Sequence, residues 1–333
     1  MTPFTYERAA GPADAVAAVS GRRGAMYVAG GTNLVDHLKL GVATPDVLVD
    51  VSRLALDRVV PVDGGGLSIG ATVRNADLAA HAGVRRHYPV LSQALLAGAS
   101  GQIRNVATTA GNLLQRTRCV YFQDVTTPCN KREPGSGCPA ISGFHRNLAI
   151  LGASEHCVAT HPSDLAVALV ALDAVVVVLG PSGERRVPLA ELHRLPGDRP
   201  ERDTTLEHGE LVTAVELPGS AFAARSAYRK VRDRASYAFA LVSVAAALDL
   251  DGDTVRDVRI VLGGVAHQPW RATVAEEALR GRRATDESFR HAARLELEAA
   301  EPLPDNAFKV PMARNVIAAT LRSLTGDPAG GAR

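Results

Sequence analysis

The chain has 333 residues, of which 46% are hydrophobic and 22% charged, with 37 Lys and Arg set against 35 Asp and Glu for a net charge of +2. That balance carries no electrostatic argument for a nucleic-acid or membrane partner, and the length predicts two or three domains because single cores stop growing near ~250 to 300 residues. The first residues lack a basic stretch followed by an apolar run, so no secretory signal is expected, and the apolar run 165–179 is too short, and too interrupted by Asp173, to insert in a membrane.

In chain order, the pattern predicts a helix over 13–20, a strand over 25–29, a helical stretch over 32–40 and a strand over 47–51, a small α/β unit. A glycine turn at 63–66 leads into a strand over 67–71 and helices around 76–81 and 90–97. After a cysteine-bearing segment come a helix over 163–172 and strands over 174–179, 185–189 and 211–217, with the polar stretch 196–205 read as a surface loop. From 225 the pattern changes. Strands over 227–231, 240–248 and 255–262 precede helices near 273–280, 286–298 and 309–324, which reads as a three-stranded antiparallel sheet covered by helices. The expected fold class is α+β. Its first domain covers 1–222, with subdomains of about 1–55 and 56–222, its C-terminal α+β domain covers 223–326, and a disordered tail covers 327–333.

Two glycine turns point to a cofactor. Val28-Ala29-Gly30-Gly31-Thr32-Asn33-Leu34 follows a strand and precedes a helical stretch, so its small residues let backbone amides approach an anion while Thr32 and Asn33 add donors. Thr108-Thr109-Ala110-Gly111-Asn112 repeats that chemistry, and two such turns could clamp both phosphates of a dinucleotide. Neither matches the Gly-x-Gly-x-x-Gly or Gly-x4-Gly-Lys-Ser/Thr fingerprints, and either alone is more often a plain structural turn.

All four cysteines, Cys119, Cys129, Cys138 and Cys157, fall in one segment directly after the second turn. Two disulfides would suit a secreted chain, for which no signal is seen. A four-thiolate zinc site normally shows Cys-x2-Cys pairs, which are absent here. Four thiolates on a long loop can hold an iron–sulfur cluster, and the proline- and glycine-rich stretch 128–139 suits such a loop. Spacing alone leaves zinc and iron–sulfur open, with four unrelated thiols the remaining reading.

Ala29-Gly30-Gly31-Thr32-Asn33-Leu34, then 102–113 (Gln102-Ile103-Arg104-Asn105 through Gly111-Asn112-Leu113), His161-Pro162-Ser163-Asp164-Leu165 and Gly263-Gly264-Val265-Ala266 with Pro269-Trp270-Arg271 resemble the FAD-binding subunit of the xanthine dehydrogenase family of molybdenum hydroxylases, over nearly the whole chain. Arg116-Thr117-Arg118-Cys119 with Pro128-Cys129-Asn130-Lys131-Arg132 and Pro134-Gly135-Ser136-Gly137-Cys138 is similar to the aldehyde oxidoreductase branch, whose flavin subunit carries an extra 4Fe-4S cluster. The resemblance implies a two-subdomain FAD-binding domain of the vanillyl-alcohol oxidase type. It also implies FAD held by Tyr27, Val28, Ala29, Gly30, Gly31, Thr32, Asn33, Leu34 and Val35, and by Thr108, Gly111, Asn112 and Gln115. Asp164 and Lys230 fall near the flavin, where a lysine would stabilise the reduced anion, and Val212 falls against the ring. The four cysteines become the ligands of the 4Fe-4S cluster. Ala110 departs from the family, many of whose members have a second glycine there.

The resemblance further implies partners: a large molybdopterin-binding subunit, a small subunit with two 2Fe-2S clusters and an external electron acceptor, with no nucleic acid and no membrane insertion. Two rival readings are a self-contained FAD oxidoreductase and an assembly module with a structural zinc. No nucleophile–histidine set is visible, and His37, His81 and His87 read as surface or capping residues. Cytoplasm and periplasm stay open, because export on a partner's leader would need no signal on this chain.

Overall fold

A computed structural model describes residues 1–326. The tail expected over 327–333 lies outside the described residues. The described residues form twelve strands in three sheets. β1 (Thr5–Arg8), β2 (Ala25–Val28) and β3 (Val47–Asp50) make a parallel sheet in the order β1-β3-β2. Parallel neighbours need crossovers, and the helices Pro12–Ser20 and Leu34–Leu40 supply them. β3 lies in the middle and is buried along its length, hence Val47-Leu48-Val49.

The second sheet is antiparallel, in the order β4-β5-β8-β6-β7, from β4 (Val59–Val62), β5 (Gly66–Gly70), β6 (Val175–Gly180), β7 (Gly183–Pro188) and β8 (Leu211–Leu217). Between β5 and β6 the chain leaves the sheet to build short helices, the cysteine segment and the helix Asp164–Ala171. That helix is buried on every side, which is why it is apolar all round rather than striped. Ser163 caps it, its Oγ accepting the Ala166 amide at 3.0 Å.

The third sheet is antiparallel and holds β9 (Ser226–Val231), β10 (Val242–Asp251), β11 (Thr254–Gly263) and β12 (Trp270–Arg271) in the order β12-β11-β10-β9. Side chains of a strand alternate between faces. Ala245 and Val261 join the core around Asp164–Ala171, whereas Val244, Ala246, Leu248, Ile260 and Leu262 join a second core under the helices Thr273–Leu279, Asp286–Glu296 and Lys309–Ser323. With both faces covered, β10 reads as a continuous apolar run rather than an alternating one. Each fully buried Val or Leu in it contributes roughly 1.5–3 kcal/mol.

The α+β organisation agrees with the sequence expectation, and the C-terminal sheet is antiparallel as expected, with β12 as an added fourth strand. β1, β4 and the helices Ala82–His87, Gly101–Arg104, Thr109–Leu113, Val120–Gln123 and Leu189–Leu192 were not foreseen. All are short, so their periodicity is too brief to register. Among the described residues, no helix is long and apolar enough to cross a membrane.

Past the cysteine loop, the chain docks onto the C-terminal helices. The Ile150 amide donates to Val265 O at 2.9 Å, Asn306 Nδ2 reaches Ala149 O at 3.1 Å, and the buried Lys309 Nζ donates to Leu148 O at 2.8 Å. Burial, with a further push from the Arg146 cation, lowers the Lys309 ammonium pKa to about 7.

Candidate functional site

The two glycine turns meet in space. A Cβ on Gly30 would lie 2.2 Å from Val106 O and 3.2 Å from Ala107 Cα, so only glycine lets the first turn rest against the backbone entering the second. Gly31 adopts φ +70°, in the left-handed region. The second turn is stitched in place by the chain after β5: the Asn75 amide donates to Ala107 O, Thr109 N to Val73 O and Ala110 N to Ala71 O, at 2.9, 2.9 and 3.0 Å. Ala110 sits within the right-handed helix Thr109–Leu113, where a Cβ costs nothing.

Between the turns opens a cavity of about 360 Å³. Of the residues expected to hold a cofactor, Tyr27, Val28, Ala29, Gly30, Gly31, Thr32, Asn33, Leu34, Thr108, Gly111 and Val212 line it. Val35 stands just behind Gly31. Asn112 and Gln115 do not reach the wall but brace it: Asn112 Oδ1 accepts from Gln115 Nε2 and from Ser163 Oγ, both at 2.7 Å, tying the second turn to the cap of the helix Asp164–Ala171. His161 and His193 place Nε2 3.2 and 2.9 Å from Leu113 O, gripping the same turn from behind.

The cavity wall offers donors to a polar guest. Among the described residues, no carbonyl accepts the amides of Gly30, Gly31, Thr32 or Asn33, and the buried Thr72 Oγ1 on the wall has no partner. An unpaired buried hydroxyl is costly, and with the half-buried amides beside it Thr72 calls for a polar guest. Arg116 adds a cation to the wall. His37, expected at the surface or at a cap, is instead buried on this wall with its ring edge-on to Phe122. Burial, reinforced by the cations Arg116 and Arg118, pushes its pKa down to about 4, which keeps it neutral and adds no repulsion or attraction of its own. His81 does cap a helix, its Nδ1 accepting the Val84 amide, and His87 is exposed.

Asp164 and Lys230 form a separate buried group and do not line the cavity. Lys230 Nζ donates to Asp164 Oδ2 at 2.7 Å and to Ala97 O at 3.2 Å, and the Tyr228 hydroxyl donates to Asp164 Oδ1. The Lys230 side chain is only 3% exposed, so it is a paired cation rather than a solvated one.

The four cysteines border one small hollow with Phe122 and Lys131, and none is in a disulfide. Among the described residues, no three His, Cys, Asp or Glu side chains converge as a site for a single metal ion. The loop is tightly closed on itself. Asn130 Oδ1 accepts the Gly137 amide at 2.7 Å, its Nδ2 reaches His156 O beside Cys157 at 2.9 Å, and the Arg132 guanidinium donates to carbonyls of Tyr121, Phe122 and Thr127. Backbone amides point at sulfur: those of Tyr121 and Phe122 at Cys119, those of Ala140, Ile141 and Val158 at Cys138, and that of Ala159 at Cys157. The neighbouring Cys138 and Cys157 thiols push the Cys138 pKa down and that of Cys157 up, while burial raises that of Cys119.

The sequence reading missed several wall residues. Thr72 and the stretch Glu207 to Leu211 reach the cavity from segments remote in sequence, and nothing local marks them. Asp203, within the loop read as surface, turns inward. Its carboxylate takes Arg116 Nε and Lys131 Nζ, both at 2.5 Å. Burial would raise its pKa, but the two cations outweigh that and hold the carboxyl far below its ordinary value.

Residues 2–220 match the family described as the FAD binding domain in molybdopterin dehydrogenase, and 197–324 match the CO dehydrogenase flavoprotein C-terminal domain. The chain is 53% identical over 323 residues to the aldehyde oxidoreductase FAD-binding subunit PaoB of Escherichia coli (strain K12), covering 96% of this chain and 98% of that one. It is 29% identical to the glyceraldehyde dehydrogenase medium chain of Sulfolobus acidocaldarius, over 85% and 83% of the two chains. Among solved structures, carbon monoxide dehydrogenase from Hydrogenophaga pseudoflava superposes with a TM-score of 0.76 at 26% identity, covering 98% and 99%. A cavity built from two meeting glycine turns, in a chain matched from end to end by these flavoproteins, places this protein in the family of oxidoreductase FAD-binding subunits of the molybdenum hydroxylases.

Proposed function

We propose that this chain is the FAD- and 4Fe-4S-bearing electron-transfer subunit of a molybdenum-dependent aldehyde oxidoreductase. In this reading, electrons arrive from the 2Fe-2S clusters of a small partner subunit and leave for an external acceptor, while the substrate is oxidised on a large molybdopterin-binding subunit. The observation that carries the reading is the pairing of the two sites: a donor-rich cavity between the glycine turns, and four free thiols around one adjoining hollow. The similarity to an aldehyde oxidoreductase subunit supports the substrate class.

Bound FAD supplies the electron carrier, and the chain supplies position and electrostatics. We assign Tyr27 to Val35, Thr108 and Gly111 to the pyrophosphate, Asn112 and Gln115 to holding the second turn behind it, and Val212, on the wall, to the ring. Asp164 and Lys230 are assigned beside the flavin end as a mutually neutralised pair rather than as a bare cation. Cys119, Cys129, Cys138 and Cys157 are assigned as cluster ligands. Thiols spread around a hollow, with amides aimed at the sulfurs, suit a many-atom cluster better than one ion needing every sulfur at about 2.3 Å. The domains are assigned as 1–222, with a division near 55–56, and 223–326.

The test is the anaerobically purified protein, assayed for flavin, iron, sulfide and zinc on one sample. Flavin with about four irons per chain supports the assignment, since four thiolates hold a 4Fe-4S cluster. Flavin with zinc or without metal removes the cluster, and absence of flavin removes the electron-transfer role.

A further inference from the structure

The two sites share a wall. Arg116 lines the flavin cavity, and its guanidinium lies 4.6 Å over the ring of Phe122, which lines the cysteine hollow. Lys131, also on the hollow, is buried with its side chain 1% exposed, and its Nζ donates to Pro200 O at 2.7 Å as well as to Asp203. Asp203 therefore stands between a cation of one site and a cation of the other, each gripping a different carboxylate oxygen.

We propose that Asp203 is a charge shared by the two sites, so that the Arg116–Asp203–Lys131 chain helps to set the redox potential of the group held in each. The proposal rests on reading the cavity as the flavin site and the hollow as the iron–sulfur site. Lys131 is fully buried, while Arg116 and Asp203 are partly exposed at 30% and 29%, so the directly bonded chain is only partly screened by water and a change at one end is felt at the other. A mere strap for the cysteine loop would need only the ion pair to Lys131. The grip of Arg116 on the other oxygen is what extends it to the flavin wall. Asp203, Arg116 and Lys131 are positioning residues here, acting through the field and not by touching a substrate.

The experiment is an anaerobic spectroelectrochemical titration of the holoprotein, following the flavin bands and the cluster absorption separately, in wild type, Lys131→Met, Arg116→Gln and Asp203→Asn. Loss of a cation disfavours electron uptake. Lys131→Met is expected to lower the flavin potential although Lys131 does not line the flavin cavity, and Arg116→Gln to lower the cluster potential although Arg116 does not line the hollow. Asp203→Asn is expected to raise both, and Asp203→Glu to return both towards wild type. Shifts confined to the site whose own wall was altered overturn the proposal. If Asp203→Asn does not fold, the crossed shifts of the two cation variants decide alone. Wild-type protein without iron sinks the cluster reading and the proposal together, whereas loaded protein with uncrossed shifts sinks the proposal only.

Discussion

Gly30→Ala is the sharpest test of how the flavin cavity is built. The new methyl would sit 2.2 Å from Val106 O and 2.9 Å from Val106 C, about 1 Å inside ordinary contact, and both obstacles are backbone rather than a side chain that could swing aside. The φ of Gly30 is not in the left-handed region, so the effect is steric and not conformational. Overpacking against a well-fitted neighbour costs typically 1–3 kcal/mol, and the backbone on the far side puts this case near ~3 kcal/mol. If the turns stay together the cost appears as lost stability, a fall in the holoprotein Tm of roughly 6–12 °C for a domain of this size. If they part, it appears in FAD affinity, about 100-fold in Kd. Flavin fluorescence on titrating the apoprotein with FAD, together with the holoprotein melting curve, measures both. A Gly30→Ala protein that matches wild type in Kd and in Tm refutes the contact between the turns, and with it the two-sided cavity.

Asn112→Ala removes the acceptor that joins Gln115 and Ser163 to the second turn, and the lost hydrogen bonds are expected to weaken FAD binding about tenfold at ~1–2 kcal/mol. An unchanged Kd in the same titration would show that the brace is idle. Cys157→Ala is expected to abolish iron retention while flavin per chain stays at the wild-type level, because no cysteine lines the flavin cavity. Wild-type iron content in that variant would remove Cys157 from the ligand set. Lys309→Met probes the buried ammonium. With the folded-state pKa at about 7 against 10.5, the unfolded chain holds a proton that the folded chain lacks between those values. Its contribution to stability therefore rises with pH from about 7 to about 10.5 and is least below 7. Urea unfolding at pH 7 and pH 9 should show wild type gaining on the variant as pH rises, and parallel profiles would contradict the shift.

Much of the fold was legible because its long elements carry clear patterns. The run from Leu165 to Leu179 read correctly as a buried helix passing into a strand, since length and the turn at Asp173 separate the two. The Asp251-Gly252 turn between two apolar runs gives β10 and β11. β1 and β12 were invisible, the first because Thr5–Arg8 is mostly exposed and polar, the second because two residues have no period. Within the site, the residues that contribute backbone were readable and those that contribute side chains from afar were not. Gly30 and Gly111 announce a close approach by their lack of a Cβ, whereas Thr72, His37 and Asp203 are ordinary residues whose roles depend wholly on what lies opposite.

The sequence by itself determined the kinds of chemistry present, because glycine turns and clustered cysteines are properties of short segments: an anion-binding loop needs small residues in a row, and a thiolate set needs its sulfurs. It could not determine what those segments face. Only the tertiary structure decided that Gly30 rests on Val106, that Lys230 is paired with Asp164 away from the cavity wall, and that a loop with the composition of a surface turns Asp203 inward between Arg116 and Lys131. Those contacts join residues 66 to 87 positions apart, and burial and charge pairing at such range belong to the packed chain rather than to any stretch of it.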